Sequence, residues 1–298
     1  MRALVTGATG FIGRRLVAKL DHPVVLTRDP DRARAALGSD VTPFAWDPVS
    51  GPPPADAFRG VDTVFNLAGE NVGERRWTKK RKAVIRGSRV EGTRNLVAGI
   101  EALRERPKVL VSASAVGYYG HRGDDTLDET AAPGSDFLAE LCVAWEAEAR
   151  RAGAMGLRVV TPRLGVVLGP GGALSKMLTP FKMGVGGRLG SGRQWMPWIH
   201  LDDVVGLLLL AASSPALSGP LNVVAPAPAT NREFTKALGA ALGRWTIFPM
   251  PGLMLRLVVG EFATVLLSSQ RVLSRVVPQA GYAYLHPELS GALRASLT

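Results

Sequence analysis

Short apolar runs alternate with longer segments of helical periodicity along the first half of the chain. The short runs are rich in valine and leucine and are bounded by turn-forming residues, which is typical of buried strands. The predicted strands are Arg2–Val5, Val24–Leu26, Val41–Phe44, Val61–Leu67, Val109–Ser112 and Leu157–Pro162. The predicted helices are Phe11–Leu20, Pro30–Leu37, Thr78–Leu103 and Asp136–Ala152. Alternation at this spacing predicts an α/β fold in which helices cover both faces of a parallel sheet.

The pattern changes after about Gly165, where glycine-rich loops at 169–172 and 184–192 interrupt it. The segment 198–225 is predicted to form a strand, a helix and a second strand, and part of it is expected to return to the sheet. A helical tail rich in alanine, leucine and valine is predicted from Pro251 onward. We therefore expect a sheet domain over residues 1–165, joined in part by 198–225, and a smaller second domain over residues 166–298.

Composition narrows the classes of function. The chain has 298 residues and one cysteine, so an intrachain disulfide is excluded. The histidines are scattered, no two lie at ligand spacing, and no metal site is expected; His200-Leu201-Asp202-Asp203 is interpreted as a helix start capped by Asp202 or Asp203. Apolar stretches are far shorter than the ~20 residues that span a bilayer, and no signal segment is evident. We expect a cytoplasmic protein with no membrane partner and with Cys142 reduced.

Lysine and arginine exceed aspartate and glutamate by 36 to 25, which gives a net charge of +11. The one dense basic run is Arg75–Lys82, and it is interpreted as a solvated helix start. A basic chain also favours nucleic acid, an anionic membrane or phosphorylated small molecules as partners. Because no zinc-finger, RRM-like or OB-like signature accompanies the run, no nucleic-acid partner is expected.

The strongest motif is the glycine loop Gly7-Ala8-Thr9-Gly10-Phe11-Ile12-Gly13, which follows the first strand and opens the first helix. Gly7 permits the tight turn, Gly10 lets a pyrophosphate approach the backbone, and Gly13 lets the helix pack closely on the strand. The amides and the dipole of the helix N-terminus then face the anion. Strand, loop and helix stand in the order that dinucleotide binding requires, so this loop predicts a dinucleotide cofactor.

The residue after the second strand indicates which dinucleotide is bound. An acidic residue there accepts the ribose 2′-hydroxyl of NAD, whereas arginine suits a 2′-phosphate. Arg28 stands near this position, which favours NADP(H) over NAD(H). The third strand leads to Asp47, which is expected beside the adenine site. The small residues of Leu67-Ala68-Gly69 follow the fourth strand and would let the cofactor ribose pass close to the backbone.

Several motifs along the whole chain resemble the short-chain dehydrogenase/reductase superfamily of extended type. They are Thr6–Gly13, Asn66–Gly69, Val111–Ala115 with Tyr118-Tyr119-Gly120, Asp128-Glu129-Thr130, Pro162–Gly169 and Trp198–Val204. Further motifs are similar to its atypical "epimerase family" group, which is NAD-dependent epimerase/dehydratase-like. These are Gly69-Glu70-Asn71, Arg76-Trp77-Thr78, Phe137–Glu140, Cys142 with Trp145-Glu146, and Gly171–Leu174, followed by a similar C-terminal region over about 248–297.

The resemblance implies a Rossmann-type, doubly wound parallel sheet with a smaller C-terminal α+β or helical substrate domain. It implies a cofactor site that adds Ser112, Cys142 and Pro162 to the loop and strand-end residues named above. The substrate would lie between the carboxyl edge of the sheet and the segment after Gly165. The residues expected to face it are Arg89, Tyr119, Arg163, Arg188 and Arg193. Extended members are often dimers through two helices, matched here by Thr78–Leu103 and Asp136–Ala152.

This chain departs from the superfamily at its catalytic pair. Members use Ser with Tyr-x-x-x-Lys, in which Tyr moves the proton and Lys lowers the pKa of Tyr. No Tyr-x-x-x-Lys occurs here, and the matching helix carries Leu138 and Cys142 at those positions. Ser114 matches the serine. Tyr118 is a candidate replacement proton donor, and Cys142 is either a buried packing residue or an acid/base group.

Two hypotheses follow. In the first, the protein is an NADP(H)-dependent oxidoreductase or epimerase-like enzyme, with Ser114, Tyr118 and Cys142 as catalytic candidates. Its substrate would be a small carbonyl, hydroxyl or nucleotide-sugar compound. In the second, it is a non-catalytic NADP(H)-binding redox sensor or scaffold, which an intact glycine loop beside a depleted catalytic helix also fits.

Overall fold

The computed structural model describes residues 1–297 and is organised around one eight-stranded parallel sheet. The strands of this sheet are β1 (Ala3–Thr6), β2 (Val24–Thr27), β3 (Thr42–Ala45), β4 (Thr63–Asn66), β5 (Val109–Ser112), β6 (Ser114–Ala115), β8 (Arg158–Leu164) and β12 (Gly219–Val223). The order is β12-β8-β5-β4-β1-β2-β3, and β6 pairs with β8. The winding direction reverses between β1 and β4, which is where a Rossmann-type sheet binds its ligand. The predicted fold class is confirmed.

Alternating side chains of the strands build a hydrophobic core on each face of the sheet. The helices beside the sheet are α1 (Phe11–Val17), α2 (Pro30–Leu37), α3 (Lys79–Glu101), α4 (Phe137–Arg150) and α6 (Leu201–Ser213). On β1, Val5 packs in the cluster that holds Leu16 of α1 and Leu208 of α6. The adjacent Leu4 packs on the opposite face with Ile100 of α3 and Ala149 of α4. Successive strand residues point to opposite faces, so both faces need an apolar cover.

The remaining elements pack beside the carboxyl edge of the sheet. Their strands are β7 (Thr126–Leu127), β9 (Val166–Leu168), β10 (Trp195–Met196), β11 (Trp198–His200), β13 (Ala229–Thr230) and β14 (Arg271–Val272), and their helices are α5 (Gly172–Lys182), α7 (Asn231–Ala241), α8 (Gly252–Val259), α9 (Ala263–Leu266), α10 (Val276–Gln279) and α11 (Leu289–Leu297). A core containing Leu174, Phe181, Trp198 and Phe234 joins β9, α5, β11, α7 and α11. No helix within residues 1–297 has the length and apolarity needed to cross a membrane.

Two expectations for the second half of the chain need correction. The tail from Pro251 is not one helical region, because Gly260 adopts φ +66° directly after α8 and ends that helix. Neither aspartate caps α6; the cap is His200, whose Nδ1 accepts a hydrogen bond from the amide of Asp202. Asp203 instead accepts hydrogen bonds from the amides of 285 and 286, and so it anchors the C-terminal segment.

Candidate functional site

Three neighbouring strands end in polar residues that meet at the carboxyl edge of the sheet. Thr6, Asn66 and Ser112 are in register on β1, β4 and β5. The Thr6 hydroxyl donates to Asn66 Oδ1 over 2.8 Å, and Asn66 Nδ2 donates to Thr93 Oγ1 and to Ser112 Oγ. Thr6 Oγ1 also accepts hydrogen bonds from the amides of 67 and 68. This buried network fixes the backbone of Leu67-Ala68-Gly69 beside the glycine loop, but the Ser112 side chain is enclosed within it.

The glycine loop has no room for side chains at two of its three glycines. Gly7 has φ +68°, and a Cβ there would lie 2.8 Å from the carbonyl of Leu67. A Cβ on Gly13 would lie 2.2 Å from the Gly7 carbonyl oxygen, so α1 packs directly on the loop. Gly10 is the N-cap of α1 and supplies no side-chain cap, which leaves the first amides of the helix to a ligand. This cradle fits a dinucleotide pyrophosphate.

The other loop residues lie around this cradle. Thr9 is exposed, and Ile12 is half-buried against the sheet core. The ring of Phe11 packs on a glycine-rich turn, where a Cβ on Gly172 would come within 2.8 Å of it. Gly169 and Gly171 of the same turn also lie against this ring, which ties the cofactor loop to the start of α5.

Arg28 directly follows β2, at the position expected to bind the 2′-phosphate of NADP(H). Its side chain is 73% exposed, and Nη1 lies 3.9 Å from Glu70 Oε1. The same carboxylate is held at 3.1 Å by Arg81, whose side chain is far less exposed. Exposure leaves the Arg28 guanidinium available to an anion. The Asp47 carboxylate, by contrast, accepts hydrogen bonds from the Val49 amide and the Ser50 hydroxyl within its own turn.

Ser114 and Cys142 lie side by side beneath the site. Both are buried, and Ser114 Oγ donates a 2.7 Å hydrogen bond to Glu146 Oε1. Burial, followed by the nearby charge of Glu146, raises the pKa of the Cys142 thiol to about 11. Burial and the raised pKa of the thiol favour the packing interpretation of Cys142 over an acid/base role. The Ser114 hydroxyl proton is directed to Glu146.

Glu146 and Arg163 form a buried ion pair behind Ser114. Arg163 Nε lies 2.8 Å from Glu146 Oε1 and Nη2 lies 3.0 Å from Oε2, with side chains only 3% and 1% exposed. Burial opposes the charge on Arg163, but hydrogen bonds and charge from Glu146 and Tyr119 outweigh it and raise the pKa of Arg163. Arg163 Nη1 also donates to the Tyr119 hydroxyl. The pair is a fixed, bidentate support for the serine.

The two adjacent tyrosines have different surroundings. The Tyr119 hydroxyl donates to Asn222 Oδ1, the residue is fully buried, and burial raises the pKa of its phenol to about 12. Tyr118 is half-buried, and its ring lies face to face with the Arg163 guanidinium at 3.5 Å. Between the tyrosines and α4, a Cβ on Gly117 would lie 3.2 Å from Leu138 Cβ. Gly117, the residue before Tyr118, therefore lies against the helix position that carries tyrosine in the superfamily.

These contacts change the expected role of Arg163 and Tyr119. Both were expected to face the substrate, but both are enclosed in the hydrogen-bonded network and expose 2% or less of their surface. A side chain whose donors already bond to buried partners has none left for a ligand. Pro162 is likewise buried on β8. Arg193 is exposed in the loop before β10 and does not join this cluster.

Arg89 lies under the loop that follows β4. Its Nη1 donates to the Glu70 carbonyl over 2.9 Å, and its guanidinium stacks on Trp145 at 5.2 Å. A Cβ on Gly69 would lie 2.9 Å from Arg89 Cζ, so the glycine allows this close approach. Burial lowers the pKa of Arg89. Arg89 holds the loop from below, close to Cys142.

His200, Asp202 and His286 have candidate metal-ligand atoms within 4.8 Å of one another. The two imidazole rings lie with their centroids 3.9 Å apart and are tilted by 48°, and burial with the charge of His286 lowers the pKa of His200. Asp202 Oδ1 is engaged by Arg15 at 2.6 Å, and His200 Nδ1 accepts a hydrogen bond from a backbone amide. His200 Nε2, by contrast, is buried without a hydrogen-bond partner among the described residues.

Sequence reasoning missed the residues that organise the site from behind. Asn66 was noted only as part of a motif, yet it joins the ends of three strands. Glu129 accepts hydrogen bonds from the Asn222 amide and the Arg275 amide, and so links the sheet edge to the C-terminal segment. The signal available for Glu146 was its position one helical turn after Cys142. No local signal distinguishes Asn222 from a surface asparagine.

The sheet order, the reversal of winding at β1 and β4, and the glycine cradle together define a Rossmann-type nucleotide-binding protein of the short-chain dehydrogenase/reductase kind. The model of the NAD dependent epimerase/dehydratase family matches residues 3–224, and a domain of unknown function, DUF1731, matches residues 250–296. The chain belongs to the NAD dependent epimerase/dehydratase family, as its motifs predicted.

Relatives of similar length support this assignment. Epimerase family protein MT2273 of Mycobacterium tuberculosis is 41% identical, covering 99% of this chain and 97% of its own length. The crystal structure of human epimerase family protein SDR39U1 (isoform 2) with NADPH is 39% identical with a TM-score of 0.88, covering 99% of both chains. A nucleoside-diphosphate sugar epimerase from Corynebacterium glutamicum is 32% identical with a TM-score of 0.80, covering all of this chain and 58% of that one.

Proposed function

We propose that the protein binds NADP(H) and is an oxidoreductase that exchanges hydride with a small carbonyl or hydroxyl substrate. The observation that carries the proposal is the glycine cradle at the β1/β4 switch point, with the exposed Arg28 at the end of the neighbouring strand. The crystal structure of the human relative with NADPH supports the choice of cofactor. When bound, this cofactor supplies or accepts the hydride.

The protein's own groups would hold the reactants and move the proton. The amides at the start of α1 and the backbone of Leu67-Ala68-Gly69 bind and orient the cofactor, and Arg28 binds the 2′-phosphate. Cys142 and the buried ion pair of Glu146 and Arg163 exclude water behind the site. Tyr118 is the proton donor, because the preceding Gly117 packs on Leu138 and the Arg163 guanidinium lies over the Tyr118 ring and holds it.

A first experiment tests cofactor and chemistry together. Purified protein is titrated with NADPH and with NADH while the thermal midpoint is followed, because a ligand that binds only the folded state raises it. Loss of NADPH absorbance is then measured against a panel of aldehydes, ketones and nucleotide sugars. Tyr118→Phe is expected to lower kcat by about a hundredfold or more while the affinity for NADPH is unchanged.

Tyr118→Phe has a matched control in Leu127→Val, which trims the core nearby and leaves every tyrosine in place. The proposal fails if Tyr118→Phe turns over as fast as the wild type. A response to NADPH with no turnover on any compound, unaltered by Ser114→Ala, favours the second candidate function, a redox sensor or scaffold. The specific observation behind that alternative is the protonated, buried Cys142 in the position of the superfamily lysine.

A further inference from the structure

Two segments outside the site expose large apolar side chains on neighbouring surfaces. The apolar patch consists of Met183, Val185, Trp245, Ile247, Phe248, Leu253, Met254, Leu257 and Val258, each between 54% and 84% exposed. On α8, Leu253 and Met254 are exposed, and so are Leu257 and Val258 four residues later, one helical turn further along. Leu255 is the buried residue of this helix. Scattered apolar residues on a protein surface need no explanation, but a group of this size marks an interaction site.

Backbone contacts join the two segments into one surface. The Met250 amide donates to the Arg188 carbonyl over 2.8 Å, and the Gly190 amide donates to the Met250 carbonyl over 2.9 Å. A single open groove is lined by Val185, Phe248, Pro249, Met250, Pro251 and Met254. Val185, just after α5, and Met254 of α8 therefore line one groove together with Phe248.

The charged residues within the two segments all have the same sign. Residues 172–194 and 237–260 contain no aspartate or glutamate, and their charged residues are Lys176, Lys182, Arg188, Arg193, Arg244 and Arg256. The acidic residue that follows them, Glu261, is paired with Lys82. Lys176 and Arg188 donate to backbone carbonyls, which leaves their charge unneutralised. An apolar surface flanked by these cations complements an anionic, apolar-cored partner.

We propose that the apolar patch docks on the surface of an anionic lipid bilayer, with α8 lying in the plane of the interface. Exposed leucine, valine and tryptophan side chains enter the headgroup and acyl boundary, and the surrounding arginines and lysines contact lipid phosphates. Since no described helix is long and apolar enough to cross a bilayer, the contact is peripheral. This association is independent of hydride transfer.

Charge separates the bilayer from a second copy of this chain. In a two-fold dimer the same patch faces itself, so the basic residues around it would oppose one another with no acidic residue in either segment to pair with. Like charges brought together in this way oppose association. An anionic lipid surface meets both the apolar and the basic part of the patch.

Flotation of the whole protein with vesicles tests the proposal. Vesicles of phosphatidylglycerol with phosphatidylcholine are compared with vesicles of phosphatidylcholine alone, at low and raised salt. The wild type is expected to float with the anionic vesicles only, and less so at raised salt. Leu253→Asp/Leu257→Asp is expected to abolish flotation, and Arg244→Glu/Arg256→Glu to weaken binding at least about tenfold.

Matched controls place the same changes elsewhere on the surface. Leu285→Asp alters another exposed leucine, and Arg86→Glu/Arg104→Glu reverses charges along and just after α3. Both controls are expected to float like the wild type, and every variant must keep the wild-type thermal midpoint. Absence of flotation, or equal loss in the controls, overturns the proposal. A concentration-dependent dimer in sedimentation that the leucine variant abolishes, without vesicle binding, assigns the patch to a second copy instead.

Discussion

Replacing Glu146 by glutamine removes one charge from the most enclosed ion pair among the described residues. Its carboxylate accepts from Arg163 through both oxygens and from the Ser114 hydroxyl. A glutamine amide has only one oxygen, so its nitrogen must face either Arg163 Nε or Nη2, both of which are donors. The variant therefore loses the charge and sets two donors against each other at about the present 3.0 Å separation.

The expected cost in free energy of unfolding is about 3–5 kcal/mol, the range for breaking a buried pair by removing one partner. Arg163→Met should cost a similar amount, because it leaves the Glu146 charge buried. In the double variant Glu146→Gln/Arg163→Met neither charge is buried, and the Tyr119 hydroxyl still donates to Asn222. The double variant should therefore cost about 2–3 kcal/mol less than the sum of the single variants.

Urea unfolding followed by tryptophan fluorescence measures all three variants at one pH. Trp145 precedes Glu146 on α4 and lies in the core, so it reports on this region. Ser114→Ala serves as a control, since it removes one neutral donor and should cost only about 1 kcal/mol. A cost below about 1 kcal/mol for Glu146→Gln, or strict additivity in the double variant, would show that the pair does not act as a buried, coupled unit.

Three further predictions concern the loop, the cofactor and the thiol. Gly13→Ala should abolish the rise in thermal midpoint with NADPH, because its Cβ would meet the Gly7 carbonyl; Gly291→Ala in α11, where nothing lies within 4 Å, is a control for a glycine outside the loop. Arg28→Ala should weaken NADPH about tenfold or more and leave NADH unchanged in isothermal titration, and equal loss for both would remove Arg28 from phosphate recognition. The pKa of Cys142 rises on folding from 9.0 to about 11, so its stabilising contribution is full below pH 9 and is lost towards pH 11. Relative to Cys142→Ala, the wild type should therefore lose stability on titration from pH 8 to pH 11 in urea unfolding, and parallel pH profiles would contradict the burial of the thiol.

The candidate site was predictable where its signal is local. Gly7, Gly10 and Gly13 follow a strand and open a helix, so their spacing alone gives their roles, and the structure supplies the contacts that make side chains impossible at Gly7 and Gly13. Arg163 shows the opposite case. Its sequence context says only that an arginine directly follows the predicted strand Leu157–Pro162. Whether it faces a ligand or a buried carboxylate depends on α4, which packs against β8 from an earlier part of the chain.

The sequence by itself determined the elements and their class. Periodicity of apolar residues fixed β5 as Val109–Ser112 and α2 as Pro30–Leu37, and the alternation of such elements requires a parallel sheet covered on both faces. These properties depend on neighbours within a few residues.

Only the tertiary structure decided which polar groups meet. Thr6, Asn66 and Ser112 are far apart along the chain and are brought together by strand register. His200 caps α6, while Asp202 is engaged by Arg15 and Asp203 by the C-terminal segment. Long-range packing selects among polar partners that are locally equivalent, and for that reason the network behind the site has no signature in the sequence.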